Sequence, residues 1–353
     1  MNSISVLVVD DSAVVRTALR RMFASVPEVG RVEVAANGAI GLTKIRSIKP
    51  DIIILDLEMP EVDGREVLQT LKEEGNTIPV LVFSSVSERS ARSVLDAMNL
   101  GAADFISKSF KGDLRTEAEE RLIPLVLALA TPTCEPAIPA PTAVSRPRKS
   151  AITSPISCVV IGASTGGPNA LARVMTAFPA DFEVPVLIVQ HMPPVFTKQL
   201  AQRLDKCSNL TVREGSDGEA IAPGQAWLAP GGSHMVLHRA MNDVRIEINS
   251  NPRVHSCRPA VDPLFQSAAE IYGSHLLGSI LTGMGSDGLE GCQAIKADGG
   301  RVLAQDRESS VVWGMPRFVT EEGLADGVLA LEEIGPTIVR WVRESLSLKH
   351  ESA

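Results

Sequence analysis

Hydrophobic and polar positions alternate on two different periods along this chain. Five short apolar runs, ISVLVV, VEVAA, DIIIL, PVLVF and ADFIS, occupy the first third of the sequence, each with the length of a buried strand. Between them lie segments with helical spacing such as AVVRTALRRMFA, in which Val15, Leu19, Met22 and Phe23 fall on one face. Five strand–helix repeats predict a doubly wound, five-stranded parallel sheet, because parallel strands need crossover helices that cover both faces. From 131 to 155 the pattern stops. TPTCEPAIPAPTAVSRPRKSAITSP holds six prolines and follows neither period, the composition of an extended linker. Beyond it, ISCVVIG leads into a helical segment from Gly167 to Phe178, and VPVLIVQ and LLGSILTG follow, so a second, mostly parallel α/β domain is expected. MVLH and VRIEI, separated by a short polar turn, predict an antiparallel hairpin within it. The expected organisation is a domain over 1–130, a linker over 131–155 and a second domain over 156–346.

Composition narrows the class. A chain of 353 residues exceeds one ordinary core and suits two. Hydrophobic residues make up 44% of it, yet no apolar run reaches the ~18 residues of a membrane span. The start, MNSISVLVVDD, has no basic segment before its apolar run, so it is a poor signal peptide and a cytoplasmic address is expected. Five scattered cysteines, Cys134, Cys158, Cys207, Cys257 and Cys292, show no metal-ligand spacing and are odd in number. They are expected to be reduced and mostly structural. The net charge of −8, with no basic cluster beyond Arg146, Arg148 and Lys149, argues against nucleic acid as a partner.

Candidate chemistry gathers at strand ends. Asp10, Asp11, Asp56, Ser84 and Lys108 all fall at the carboxyl ends of the first domain's expected strands, where ligands bind in doubly wound sheets. Clustered carboxylates suit a hard divalent cation, which offsets charge when one of them attacks a phosphoryl group. A lysine neutralises phosphoryl oxygens, and a hydroxyl at a strand end senses them. Taken singly, each has an ordinary reading as helix cap, loop serine or surface charge. Their joint placement argues for a phosphoryl-accepting site. VVDDS, DLEMPEVDG, FSS and DFISK resemble the receiver domain of two-component response regulators over residues 1 to about 125. The resemblance implies Asp56 as phosphoacceptor, with Asp10, Asp11, Asp56 and the backbone carbonyl of Glu58 around Mg²⁺. It also implies Ser84 as switch hydroxyl, Phe105 as switch aromatic and Lys108 as phosphate sensor. Such domains usually follow the lysine with a cis proline, whereas Ser109 stands here, and a non-proline cis bond costs ~3 kcal/mol.

In the second domain, GASTGGP turns a strand sharply into a helix with Ser164 at the bend. A hydroxyl there projects, and backbone N–H groups at the helix start can stabilise an oxyanion. The same glycine-rich turn could equally cradle a phosphate. A nucleophilic serine needs a histidine base and a carboxylate to orient it. Of six histidines, His191 directly follows an apolar strand, and Asp287 follows LLGSILTG at the start of a helix. Their ordinary readings are a satisfied structural histidine and the N-cap of that helix. GASTGGP, QHMPP, APGG with HM, RPAVDPLF, LTGMGSDG and WGMP together resemble chemotaxis protein-glutamate methylesterases from 156 to about 345, with Ser286 where that family often has Asn.

The resemblance implies Ser164 as nucleophile, His191 as general base and Asp287 as orienting carboxylate. The backbone N–H groups of Thr165 and Met284 are the candidate oxyanion donors, and no cofactor is expected in this domain. It implies glutamate γ-methyl esters on chemoreceptor cytoplasmic domains as substrate, deamidation of receptor glutamines as a companion activity, and a chemotaxis histidine kinase as phosphodonor. The unphosphorylated receiver is expected to shield the serine site. Two other classes compete: a nucleotide-binding regulator, disfavoured because the second strand ends in Gln190 and His191 instead of an acidic ribose ligand, and a non-catalytic response regulator.

Overall fold

The structure, a computed structural model, describes residues 3–85, 87–108, 121–131, 154–241 and 243–351. Nearly all of the expected linker and Ser109 therefore lie outside the described residues. The chain divides into two compact units, Met1–Ile138 and Pro139–Ala353.

In the first unit each expected apolar run is a strand: β1 (Ile4–Val9), β2 (Val29–Ala35), β3 (Ile52–Leu55), β4 (Val80–Ser84) and β5 (Asp104–Ser107). They pair in parallel in the order β2-β1-β3-β4-β5. Around them run α1 (Ala13–Ala24), α2 (Gly38–Ile48), α3 (Gly64–Glu73), α4 (Glu88–Asn99) and α5 (Ile123–Ala130). Leu19 and Phe23 of α1 are buried and Val15 and Met22 pack beside them, as the helical period required. Chain order steps from β1 to β2 on one side and to β3 on the other. The carboxyl ends of β1 and β3 thus flank the crevice where doubly wound sheets take ligands.

The second unit carries a seven-stranded sheet in the order β14-β13-β12-β6-β7-β9-β8, every neighbouring pair parallel. The expected members are β6 (Cys158–Ala163), β7 (Val186–Gln190) and β12 (Leu276–Ile280). Four further strands were not expected from the pattern: β8 (Thr211–Glu214), β9 (Gln225–Leu228), β13 (Arg301–Gln305) and β14 (Gly327–Leu329). They are three to five residues long, too short to show a period, and all but the GVL of β14 mix polar with apolar positions. β10 (His234–Ala240) and β11 (Asp243–Asn249) form the predicted antiparallel hairpin. Met235, Leu237 and Ile246 turn into the core, and the Leu237 N–H donates to Ser267 Oγ.

The helices of this unit are α6 (Gly167–Met175), α7 (Phe196–Cys207), α8 (Val261–Tyr272), α9 (Leu289–Ala297), α10 (Met315–Glu321) and α11 (Leu331–Glu351). α6 ends at Met175, three residues before the expected Phe178. Among the described residues, no helix is long and apolar enough to cross a membrane.

Register places the site. Ala163 pairs with Gln190, and Gly162 with Ile280, so the carboxyl ends of β7, β6 and β12 stand side by side. The chain moves from β6 to β7 on one flank, while β12 occupies the other. This is the topological switch point of the sheet.

Candidate active site and phosphoacceptor pocket

In the first unit, Asp10 and Asp56 are buried at the ends of β1 and β3, while Asp11 is exposed. Lys108, just past β5, donates to Asp56 Oδ2 at 2.6 Å, and its ammonium lies 2.8 Å from Asp10 Oδ2. Its own N–H donates to the carbonyl of Ser84, which ties the ends of β4 and β5 together. Ser84 is buried and Phe105 half-buried. Burial raises the Asp56 carboxyl above the usual range; the Lys108 hydrogen bond pulls it back, and the Asp10 charge adds to the rise. Carboxylate atoms of Asp10, Asp11 and Asp56 all lie within 4.8 Å of one another. The Glu58 carbonyl accepts no hydrogen bond among the described residues. An all-oxygen donor set with an unused carbonyl fits Mg²⁺.

In the second unit, Ser164 follows β6 at a bend whose shape is fixed from several sides. Its N–H donates to the Thr282 carbonyl, and its carbonyl accepts from Gly167 N–H and from the side-chain Nε2 of Gln190. Gly166 takes φ of +75°, a conformation that β-carbon-bearing residues rarely adopt, and the helix begins directly after it. Thr282 Oγ1 donates to the Thr165 carbonyl, locking this bend to the loop after β12. In that loop, a β-carbon on Gly283 would stand 2.7 Å from Ser164 Cβ, so only glycine permits so close an approach. The backbone N–H groups of Thr165 and Met284 are donated to no acceptor among the described residues.

His191 stands next to Ser164 through the β6–β7 register, its N–H donating to the Ala163 carbonyl. Its Nε2 donates to Asp287 Oδ2 at 2.6 Å. The other ring nitrogen, Nδ1, lies 3.5 Å from Cys257 Sγ. Ser164 Oγ makes no hydrogen bond among the described residues; active-site hydrogen bonds are often long in unliganded enzymes and tighten with substrate. Burial by itself would lower the imidazole. The Asp287 carboxylate and the Cys257 contact outweigh it and raise the ring above its ordinary range.

Asp287 does not cap the helix it precedes. The N-cap of α9 is Gly288, with no side-chain hydrogen bond. Instead, the buried Asp287 carboxylate receives the first N–H groups of α8: Val261 N–H donates to Oδ2 at 2.6 Å and Asp262 N–H to Oδ1 at 3.0 Å. The N-cap of α8, Ala260, has no side chain able to do this. Burial would raise the carboxyl, but His191 and these two donors hold it below its ordinary value. The anion is thus fixed at a helix N-terminus, where the macrodipole favours negative charge.

Reasoning from sequence missed four participants. Gln190 holds the serine bend, and Cys257 contacts the histidine. Asp262 lies buried beside Asp287, and its Oδ2 is 3.1 Å from Nε2 of His255. Asp262 and Cys257 both lie in or beside the RPAVDPLF motif, and Gln190 immediately precedes His191. A polar residue at the last position of a buried strand was the available signal for Gln190.

A family model described as CheB methylesterase matches residues 159–338, and one described as response regulator receiver domain matches residues 6–118. A protein-glutamate methylesterase/protein-glutamine glutaminase of Trichodesmium erythraeum (strain IMS101) is 43% identical, covering 97% of this chain and 100% of that protein. A second protein of that description, from Nocardioides sp. (strain ATCC BAA-499 / JS614), is 41% identical over 96% of each chain. The crystal structure of the Thermotoga maritima CheB methylesterase catalytic domain aligns with a TM-score of 0.52 at 45% identity, covering 52% of this chain and 98% of that one. Nearly every position of this chain therefore has a counterpart in full-length relatives, and the chain belongs to the CheB methylesterase family, with a response regulator receiver domain ahead of the methylesterase domain.

Proposed function

We propose that this chain hydrolyses glutamate γ-methyl esters on the cytoplasmic domains of chemoreceptors, releasing methanol, under control of phosphorylation in its receiver domain. The observation that carries the reading is the Asp287–His191 pair, set at 2.6 Å beside Ser164 at the switch point of the sheet. In this geometry Asp287 accepts a hydrogen bond from Nε2–H and holds the proton on that nitrogen, which leaves Nδ1 as the nitrogen to receive the proton of Ser164. The Ser164 oxygen attacks the ester carbonyl, and the tetrahedral oxyanion is met by the Thr165 and Met284 N–H groups. His191 then delivers the proton to departing methoxide, and water repeats the sequence to free the glutamate. A glutamine amide presents the same acyl carbon with ammonia as leaving group. Glutamine deamidation, the second activity in the relatives' description, is therefore part of the proposal.

In the receiver, residues 1–130, Asp56 is the acceptor of a phosphoryl group from a chemotaxis histidine kinase. Asp10, Asp11, Asp56 and the Glu58 carbonyl would hold Mg²⁺, which when bound offsets the charge of acceptor and donor. Lys108 lies between Asp10 and Asp56, ready to pair with a phosphoryl oxygen, and Ser84 and Phe105 are the proposed switch residues. Residues 131–155 link this domain to the catalytic domain, 156–346, in a protein of the cytoplasm. Methanol release from methylated receptor membranes tests the reading. It should be present with the intact chain and lost in Ser164→Ala; release that persists in that variant overturns it.

A further inference from the structure

The carboxylates of Asp287 and Asp262 are cross-capped. Asp287 precedes α9 and receives the N–H groups of Val261 and Asp262 at the start of α8. Asp262, in the first turn of α8, returns the arrangement: its Oδ1 receives Gly291 N–H, in the first turn of α9, at 2.7 Å. Each helix start is thus held by the acid of the other. Both carboxylates are buried, at 1% exposure for Asp262 and 2% for Asp287. Donor atoms of His255, Asp262 and Asp287 all lie within 4.8 Å of one another. Next to the His191–Asp287 pair there is consequently a second histidine–carboxylate pair, His255–Asp262, which reaches the surface through the exposed His255 ring.

We propose that Asp262 is a positioning residue for the ester hydrolysis, with His255 as its counter-charge, and that this pair sets the basicity of His191 through Asp287. The proposal rests on the Ser164–His191–Asp287 reading. Two carboxylates this close in a buried site share one electrostatic environment. An ionised Asp262 adds negative charge behind Asp287 and strengthens the hold on the His191 proton. A protonated His255, 3.1 Å from Asp262 Oδ2, offsets that charge.

The groups facing Asp262 from its neighbours are few. Asp287 lies before α9, with His191 beyond it, and Cys292 is on α9. His255 is on the preceding loop. His234, whose Nδ1 accepts the Ala260 N–H, stands on β10. Burial, foremost, and the Asp287 charge lift the Asp262 carboxyl to about 6, against the pull of the Gly291 N–H.

The test is a pair of pH profiles, of kcat/KM on methylated receptor membranes and of the His191 imidazole NMR signal, in the full chain. Asp262→Asn removes the charge but keeps an oxygen for Gly291 N–H. It should move the acid limb and the His191 titration together to lower pH by about one unit, and lower kcat at the plateau about threefold for a weaker base. KM should stay as it is. His255→Gln, at an exposed position and checked for folding by circular dichroism, should move both in the opposite sense. In the double variant the His255→Gln shift should be at least halved, because His255 acts through Asp262. If Asp287→Asn is inactive while Asp262→Asn and His255→Gln retain the wild-type titration of His191, the relay is wrong and the triad stands. A fully active Asp287→Asn overturns the triad reading itself, and the relay with it.

Discussion

Replacing Asp287 by Asn tests the catalytic reading at the atom where structure and chemistry are most tightly joined. The carboxylate accepts three hydrogen bonds: His191 Nε2 and Val261 N–H on Oδ2, each at 2.6 Å, and Asp262 N–H on Oδ1 at 3.0 Å. An asparagine has one acceptor oxygen. If that oxygen stays with Asp262, the amide NH₂ faces both Val261 N–H and the imidazole. Toward His191 it can only donate, which forces the ring proton onto Nδ1 and removes the lone pair that would accept the Ser164 proton. The serine-protease precedent for a wrong-tautomer histidine is a loss of ~10⁴ in kcat. Toward Val261 two donors meet, and a buried N–H left unpaired costs about 1–3 kcal/mol. For a domain of this size that corresponds to a fall of roughly 2–12 °C in Tm. Both effects should therefore appear together in a protein that still folds. Turnover is read from methanol release, folding from circular dichroism, and serine reactivity from fluorophosphonate labelling. If Asp287 only held the start of α8, the unpaired Val261 N–H would still lower Tm, but turnover of the folded protein would survive. A folded Asp287→Asn protein with turnover within a few-fold of wild type would refute the assignment.

Four further outcomes follow from the same geometry. Ser164→Ala and His191→Ala should each remove nearly all activity, and the double variant should be scarcely worse, since members of a triad fail as a unit; multiplicative losses in methanol release would count against the triad. Gly283→Ala should lower kcat and also cost stability, because its new methyl would stand 2.4 Å from the buried Met315 Sδ and 2.7 Å from Ser164 Cβ and push away the loop carrying the Met284 N–H; unchanged kinetics in the folded variant would remove Met284 from the oxyanion site. A small phosphodonor with Mg²⁺ should label the chain with one acid-labile acyl phosphate, absent in Asp56→Asn; labelling that persists there assigns a different acceptor. Because the folded-state imidazole of His191 is raised above its unfolded value, its stabilising contribution should be complete below the unfolded value and vanish as pH rises through the folded one. Urea unfolding of wild type and His191→Gln should therefore differ most in mildly acidic buffer and converge at alkaline pH, and a gap that widens with pH would contradict the Asp287 pairing.

Much of this architecture is written in periodicity. The five strands of the receiver are continuous apolar runs because both faces of a parallel sheet are covered, and that signal survives in a single sequence. β8, β9, β13 and β14 escaped notice for the opposite reason: runs of three to five residues are too short to carry a period, and the long-range pairing that makes them strands cannot be seen locally. The site divides along the same line. Ser164, His191 and Asp287 could be nominated because each follows an apolar run, and strand ends are where doubly wound sheets work. The partner of Asp287 could not, because its local setting pointed to the helix directly after it. The helix it does cap begins at Val261, 26 positions upstream, and had no polar residue of its own at the N-cap.

That displaced cap matters chemically. A carboxylate that served its own helix could swing with its loop, whereas one clamped by the first turn of a different helix is fixed on both sides. It accepts two backbone donors from α8 and, on Oδ2, a ring nitrogen of His191. The ring nitrogen it holds is Nε2 of His191, with Nδ1 toward Cys257 Sγ, a choice between two atoms of one residue that no sequence motif encodes. The same clamp explains why Asp262, one of the two donors, lies so close behind Asp287. The helix start that holds Asp287 also carries its own first-turn side chain into the same buried space, and here that side chain is a second carboxylate. Two acids in one apolar site raise the cost of ionising both, and the exposed imidazole of His255, within 3.1 Å, is the charge that can relieve it.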